Sequence, residues 1–394
     1  MSIILQIFQV LGSLGLFLYG MTLLSESLQK VAGDKMRSIL AAMTSNSFKR
    51  VLTGLFITAI IQSSSATTVM VVSFVNAGLL SLAQSIGVIM GANIGTTVTA
   101  WIVSLLGFKA DISVISIPLI AIGFAFMMSK SKKRKTTGEL IIGFALLFLG
   151  LSFLKNSVPD LKSTPEVLEF IKEWTSFGFL SVIVFVLFGT LLTIVLQSSS
   201  ATMALTLVMC SYGWIPFEMA AAMVLGENIG TTITANLAAA VANVSAKRAA
   251  LAHTVFNVFG VIWVLTFYSP ILKIVAYITQ SLGGGDPFTS SESTLYGISA
   301  LHTLFNMTNT LILVWFTPQI VKIVSYVIKT KKVEEVFRLQ FIHGGLLSTA
   351  ELSLTQAKHE IVNYARLSQK QFEYVRTAIK ECDKESFDGL FSKL

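Results

Sequence analysis

Apolar positions run along the chain in long blocks, and the polar positions between them are few and clustered. From Val51 to Phe108 there is no Asp, Glu, Lys or Arg, and from Trp174 to Ala246 the only charges are Glu218 and Glu227. About 20 apolar residues cross a bilayer as a helix, so each block holds more than one membrane segment. The pattern predicts spans at 3–28, 51–77, 85–107, 114–128, 140–154, 179–212, 217–241, 249–267 and 301–328. The expected fold class is an all-α polytopic membrane protein.

The blocks repeat. Gln-Ser-Ser-Ser occurs at Gln62–Ser65 and again at Gln197–Ser200, and Gly-x-Asn-Ile-Gly-Thr-Thr follows at Gly91–Thr97 and Gly226–Thr232. Residues 54–100 align with 189–235 without a gap, at a constant offset of 135. The expected organisation is a first membrane repeat over 1–135, a second over 136–270, additional membrane helices over 271–332 and a tail over 333–394. Each repeat is expected to hold a serine-rich hairpin and a helix broken at its Asn-Ile-Gly-Thr-Thr.

Charge bears on orientation. The net charge of +8 sits mostly in Lys30–Arg50, Lys130–Lys135, Lys247–Arg248 and Lys329–Lys332, while 155–173 and 281–294 carry little positive excess. Short Lys- and Arg-rich loops favour the cytoplasmic side. One topology satisfies every loop if each Gln-Ser-Ser-Ser segment is re-entrant, which inverts the two halves and leaves the carboxyl end cytoplasmic. Full crossing by 51–77 is the alternative, and would put Lys130–Lys135 outside. Basic loops flanking membrane helices give no reason to expect nucleic-acid binding. The first 25 residues lack the basic start of a cleavable signal. Cys210 and Cys382 lie in such different surroundings that neither a disulfide framework nor a metal cluster is expected. Beyond Lys332 the chain is charged, and Leu354, Ile361, Ala365, Phe372, Val375 and Ile379 fall at helical spacing. This predicts a short cytoplasmic helical tail.

Chemistry points to the twin motifs. A helix start inside a membrane offers unpaired N–H groups and the positive end of its dipole to an anion. The hydroxyls of Ser63, Ser64, Ser65, Ser198, Ser199 and Ser200 add donors, with Gln62 and Gln197 bracing the hairpin tips. An oxyanion such as phosphate fits. Neither break contains Lys or Arg, and a bare anion in mid-membrane is very costly. A mobile cation must therefore accompany it, and Na⁺ suits the oxygens of Asn93, Thr96, Thr99, Asn228, Thr231 and Thr234. Glu227 stands where the first copy has Ala92; it either takes part in cation or proton binding or is a helix-end residue facing water. His253 and Asn257, and likewise His302 and Asn306, share a helix face in two His-Thr-x-Phe-Asn segments. Interhelical hydrogen bonding explains them as well as ligation does.

With Gln-Ser-Ser-Ser-Ala-Thr at 62–67 and 197–202, the paired Asn-Ile-Gly-Thr-Thr and the His-Thr-x-Phe-Asn segments, the chain resembles the type II sodium-dependent phosphate cotransporter family over roughly 10–330. The resemblance implies Na⁺-coupled transport of inorganic phosphate by alternating access, with the two hairpins forming the phosphate and sodium sites. Thr67 and Thr202, which close the matched motifs, then join the sodium set. It implies no cofactor, Na⁺ being cargo, and residence in the plasma membrane; a homodimer is an open expectation. The tail is similar to the start of a PhoU-like domain, and some relatives bearing one are associated with phosphate efflux. Phosphate export, or phosphate sensing through the tail, therefore stands as the alternative. A membrane serine hydrolase is a further rival. It needs a base beside its nucleophile, for which only His253 and His302 are available.

Overall fold

The computed structural model describes residues 3–42, 46–109, 112–157, 173–329 and 350–381. Every regular element among them is helical. Helix α1 (Ile3–Ala42) packs along α6 (Lys132–Ser157), which also carries α5 (Ser113–Met127). Helix α2 (Ser47–Ile61) stops at Gln62, and the chain restarts as α3 (Ser64–Asn76). Helix α4 (Leu82–Ile102) opens with a capping box between Ser81 and Gln84 and runs on into a π-helical segment, Val103–Lys109. The second half repeats this order with α7 (Phe179–Leu196), α8 (Ser199–Ser211), α9 (Phe217–Gly230) and the short α10 (Thr232–Ala239). There follow α11 (Val244–Thr266), α12 (Tyr268–Ser281), α13 (Ser291–Leu313) and α14 (Thr317–Val327).

Five described helices are long and apolar enough to cross a membrane, and their outer faces expose large apolar side chains such as Leu11, Leu191 and Ile262. The expected connector at 30–50 is instead helical as far as Ala42. Lys, Met, Arg, Leu and Ala between Lys30 and Ala42 are strong helix formers and no proline interrupts them. The span expected at 301–328 is two helices that meet at 86°. Pro318 sits in the first turn of α14, where its missing N–H and fixed φ suit a helix start and not a continuation.

The helix expected to break at Gly91–Thr97 does not break. Helix α4 runs straight through the motif, and Thr231, between α9 and α10, keeps right-handed dihedrals of φ −62° and ψ −21°. The glycines serve contact instead. A Cβ on Gly91 would fall on the Val51 carbonyl oxygen of α2, and one on Gly54 on that of Val88. In the second half, Gly226 meets Val186 and Gly189 meets Met223 in the same way. All four contacts are related by the offset of 135. Small residues that let backbones touch are the usual means by which helices associate in lipid, where no hydrophobic force separates them from acyl chains.

The described residues up to Val75 and from Leu80 to Lys329 form one compact unit; 76–79 and the described residues beyond 329 cluster as another. Of the expected tail, the described part is α15 (Ala350–Glu381), whose Leu354, Ile361, Phe372 and Val375 are exposed. Residues 330–349 and 382–394 lie outside the described residues, as does most of the loop expected at 155–173.

Candidate functional site

Gln62 and Gln197 are the described non-glycine residues with positive φ, at 58° and 52°. Each occupies the left-handed region that ends α2 and α7, at a cost of about 1–2 kcal/mol that the surroundings must offset. The same three contacts do so in both copies. Gln62 Nε2 donates to the Ala59 carbonyl (2.6 Å) while its Oε1 accepts from Thr99 (3.1 Å). Gln197 donates to Ile194 (2.7 Å) and accepts from Thr234 (3.2 Å). The next serine then caps the new helix: Ser63 Oγ accepts from Ala66 N and Ser198 Oγ from Ala201 N, both at 3.2 Å.

The chain folds back at both turns. Thr58 donates to Thr67 at 3.0 Å, and Thr193 pairs with Thr202 at 2.9 Å. In an unbroken helix residues nine apart would be about 13.5 Å apart along the axis. All four threonines are buried against the partner arm.

The turns face one another. A single cavity of about 480 Å³ is lined by Gln62–Ser65, by Leu196–Ser200 and by Leu18, Met21, Thr22, Ser25, Glu26 and Gln29 of α1. Two segments separated by 135 residues thus meet around one space, with the first turns of α3 and α8 at its wall. Ser64, Ser199 and Ser200 are buried at its margin. Among the lining residues none is basic, and Glu26 is the one charge.

The cavity is therefore lined by all eight residues expected to bind phosphate and by none of those expected to bind sodium. Thr67 and Thr202 are locked between the arms, and Thr99 and Thr234 hold the glutamines. Thr96 donates to the Ala92 carbonyl of its own helix at 3.1 Å, and Thr231 is buried. Asn93 Oδ1 lies 3.2 Å from His253 Nε2, joining α4 to α11, and Asn228 Oδ1 accepts from Asn306 at 3.3 Å, joining α9 to α13. Glu227 is buried within α9 at 2% exposure, so the water-facing alternative for it is excluded. Asn93 Nδ2, Glu227 Oε2, Asn257 Oδ1, Asn306 Oδ1 and the Nδ1 atoms of His253 and His302 are buried without a partner. Neither histidine lines the cavity.

Sequence reasoning missed the contribution of α1. Its signal was present: Thr22, Ser25, Glu26 and Gln29 continue the 3–4 spacing of Leu18 and Met21 along one helix face, inside a segment apolar enough to span.

The family model described as Na⁺/Pi-cotransporter matches residues 16–156 and 166–284. "Uncharacterized protein YqeW" of Bacillus subtilis is 34% identical over 268 residues, which is 67% of this chain and 83% of that protein. "Putative inorganic phosphate export protein YjbB" of Salmonella typhimurium is 28% identical over 69% of this chain, and the match spans 48% of its length. "Sodium-dependent phosphate transport protein 2A" of Rattus norvegicus is 40% identical over 107 residues, 26% of this chain and 16% of that protein. This chain thus spans about half the length of the export protein it matches. No solved structure matches.

Proposed function

Because the chain belongs to the Na⁺/Pi-cotransporter family, we propose that it is a sodium-coupled secondary transporter of inorganic phosphate. The observation that carries this reading is the meeting of both Gln-Ser-Ser-Ser turns at one cavity. In this mechanism phosphate lies between the first turns of α3 and α8. Ser63 and Ser198 are committed to capping, so Ser64, Ser65, Ser199 and Ser200 supply the hydroxyl donors, together with first-turn N–H groups that have no acceptor within their own helices. Gln62 and Gln197 act by holding the turns in shape.

Two inward-pointing helix starts favour an anion but do not neutralise a divalent one. Na⁺ supplies the remaining charge, travelling with the phosphate. Asn93, Thr96, Glu227, Asn228 and Thr231 form the inner sodium set, where orphaned oxygens of Glu227, Asn257 and Asn306 are available to a hard cation. The two repeats lie inverted in the plasma membrane, each serine hairpin re-entrant and the carboxyl end cytoplasmic, and rocking of one repeat against the other exposes the cavity to alternate sides.

Proteoliposome uptake of labelled phosphate under an imposed Na⁺ gradient tests the reading. Uptake should collapse when K⁺ replaces Na⁺, and Ser64→Ala and Ser199→Ala should each raise the phosphate KM. Equal uptake in K⁺ would remove the coupling. A second reading, export, is favoured by the relatives named as phosphate export proteins. Phosphate-loaded vesicles separate the two, since export predicts faster efflux than uptake at matched gradients.

A further inference from the structure

We propose that Glu26 of α1 is a cation-binding carboxylate of the cavity, holding one Na⁺ between α1 and the bound anion. Phosphate as that anion rests on the transport reading above; the carboxylate site itself does not. Glu26 lies within the candidate span Ile7–Val31. Its side chain is exposed and lines the cavity, so its charge is open to an entering ion.

Its natural partner is engaged elsewhere. Lys30 stands four residues on, the spacing at which Glu and Lys pair along a helix. Its Nζ instead donates to Glu139 Oε2 of α6 at 2.7 Å. Gln29 is also committed, donating from Nε2 to Ser25 Oγ at 3.2 Å. Among the described residues Glu26 thus has no hydrogen-bond or ionic partner. The cavity wall is otherwise uncharged, so an entering phosphate meets a fixed negative charge and no fixed positive one. The two anions can share this space only with a cation between them. The oxygens for it are at hand: the Glu26 carboxylate, the Thr22 hydroxyl one turn before it and the Ser25 hydroxyl beside it all line the same cavity. Hard oxygen donors of this kind suit a small, hard cation.

The test is binding of radiolabelled Na⁺ to the purified full chain in choline buffer without phosphate, followed by the Na⁺ dependence of phosphate uptake. Glu26→Gln should weaken Na⁺ binding about tenfold or more, the effect of removing one close charge. It should raise the Na⁺ concentration for half-maximal uptake in parallel, and move the phosphate KM at saturating Na⁺ much less. Glu26→Asp should keep most of the binding. Glu292→Gln, which removes a carboxylate that does not line this cavity, should leave Na⁺ affinity unchanged. Wild-type Na⁺ affinity in Glu26→Gln overturns the proposal. If that variant does not fold, the comparison is made with Glu26→Thr, and an unaltered Na⁺ affinity there is equally fatal. The two readings fail separately. Glu26-dependent Na⁺ binding without phosphate flux would retain the carboxylate site and sink the transporter, and Na⁺-driven flux indifferent to Glu26 would do the reverse.

Discussion

The left-handed glutamines show why single residues matter at the two turns. A glycine would reach φ near 55° without strain, yet Gln stands at both positions and its amide spans from the end of one helix to a threonine of another. Shape and bracing are therefore separable by substitution. Gln197→Gly should keep the melting temperature in detergent close to that of the parent, because relief of backbone strain offsets the lost hydrogen bonds. Gln197→Ala should lower it, by about 1–2 kcal/mol of stability. Both should lose phosphate flux, since neither fixes the turn to Thr234. Normal flux in Gln197→Gly would show that the amide is dispensable. The packing glycines behave differently. Gly226→Ala drives a methyl into the Val186 carbonyl, so α7 and α9 must part. A loss of about 1–3 kcal/mol is expected, as for other overpacked cores, read as a fall in thermal midpoint. Gly12→Ala meets nothing within 4 Å, and should be neutral or gain up to about 1 kcal/mol from helix propensity.

At the level of helices, the twin turns were legible in the sequence because polarity is expensive in lipid: a serine cluster in an apolar run needs a purpose, and two at one offset need the same purpose. Gly91–Thr97 misled for a related reason. Glycine in a membrane helix signals either a break or a close neighbour, and only the partner helix distinguishes them; Val51 and Leu55 of α2 do so here. The α13–α14 bend was hidden because the apolar run continues past Pro318. The stripe on α1 is masked in the sequence because four polar residues in an apolar helix leave its mean hydropathy high. The His-Thr-x-Phe-Asn helices were left open between packing and ligation, and they do pin neighbours: α11 to α4 through His253 and Asn93, α13 to α9 through Asn306 and Asn228. If the first pair fastens α11 to α4, His253→Leu and Asn93→Leu should each destabilise by about 1–3 kcal/mol, because each strands a buried polar partner. The double variant should cost less than the sum. Strict additivity in thermal unfolding would mean the pair is not energetically coupled.

For the whole molecule, the decisive property is that one space is shared by two repeats. Any movement that opens it to a side of the membrane must change the access of both serine turns together. This can be read with thiols. Cys210 is buried at 1% exposure and should not react, so a Cys382→Ser background carrying Ser65→Cys or Ser200→Cys isolates the cavity. In sealed vesicles both cysteines should label with a membrane-impermeant maleimide from the same side. Phosphate with Na⁺ should slow both, because the ligand occupies the space they line. Conditions that favour the opposite-facing state should shift both labelling rates in the same direction, since access follows the population of the open state. Labelling of one cysteine from outside while the other labels from inside, under a single condition, would mean that the turns serve two separate vestibules. Alternating access about a common site would then be untenable, however well each turn bound phosphate by itself.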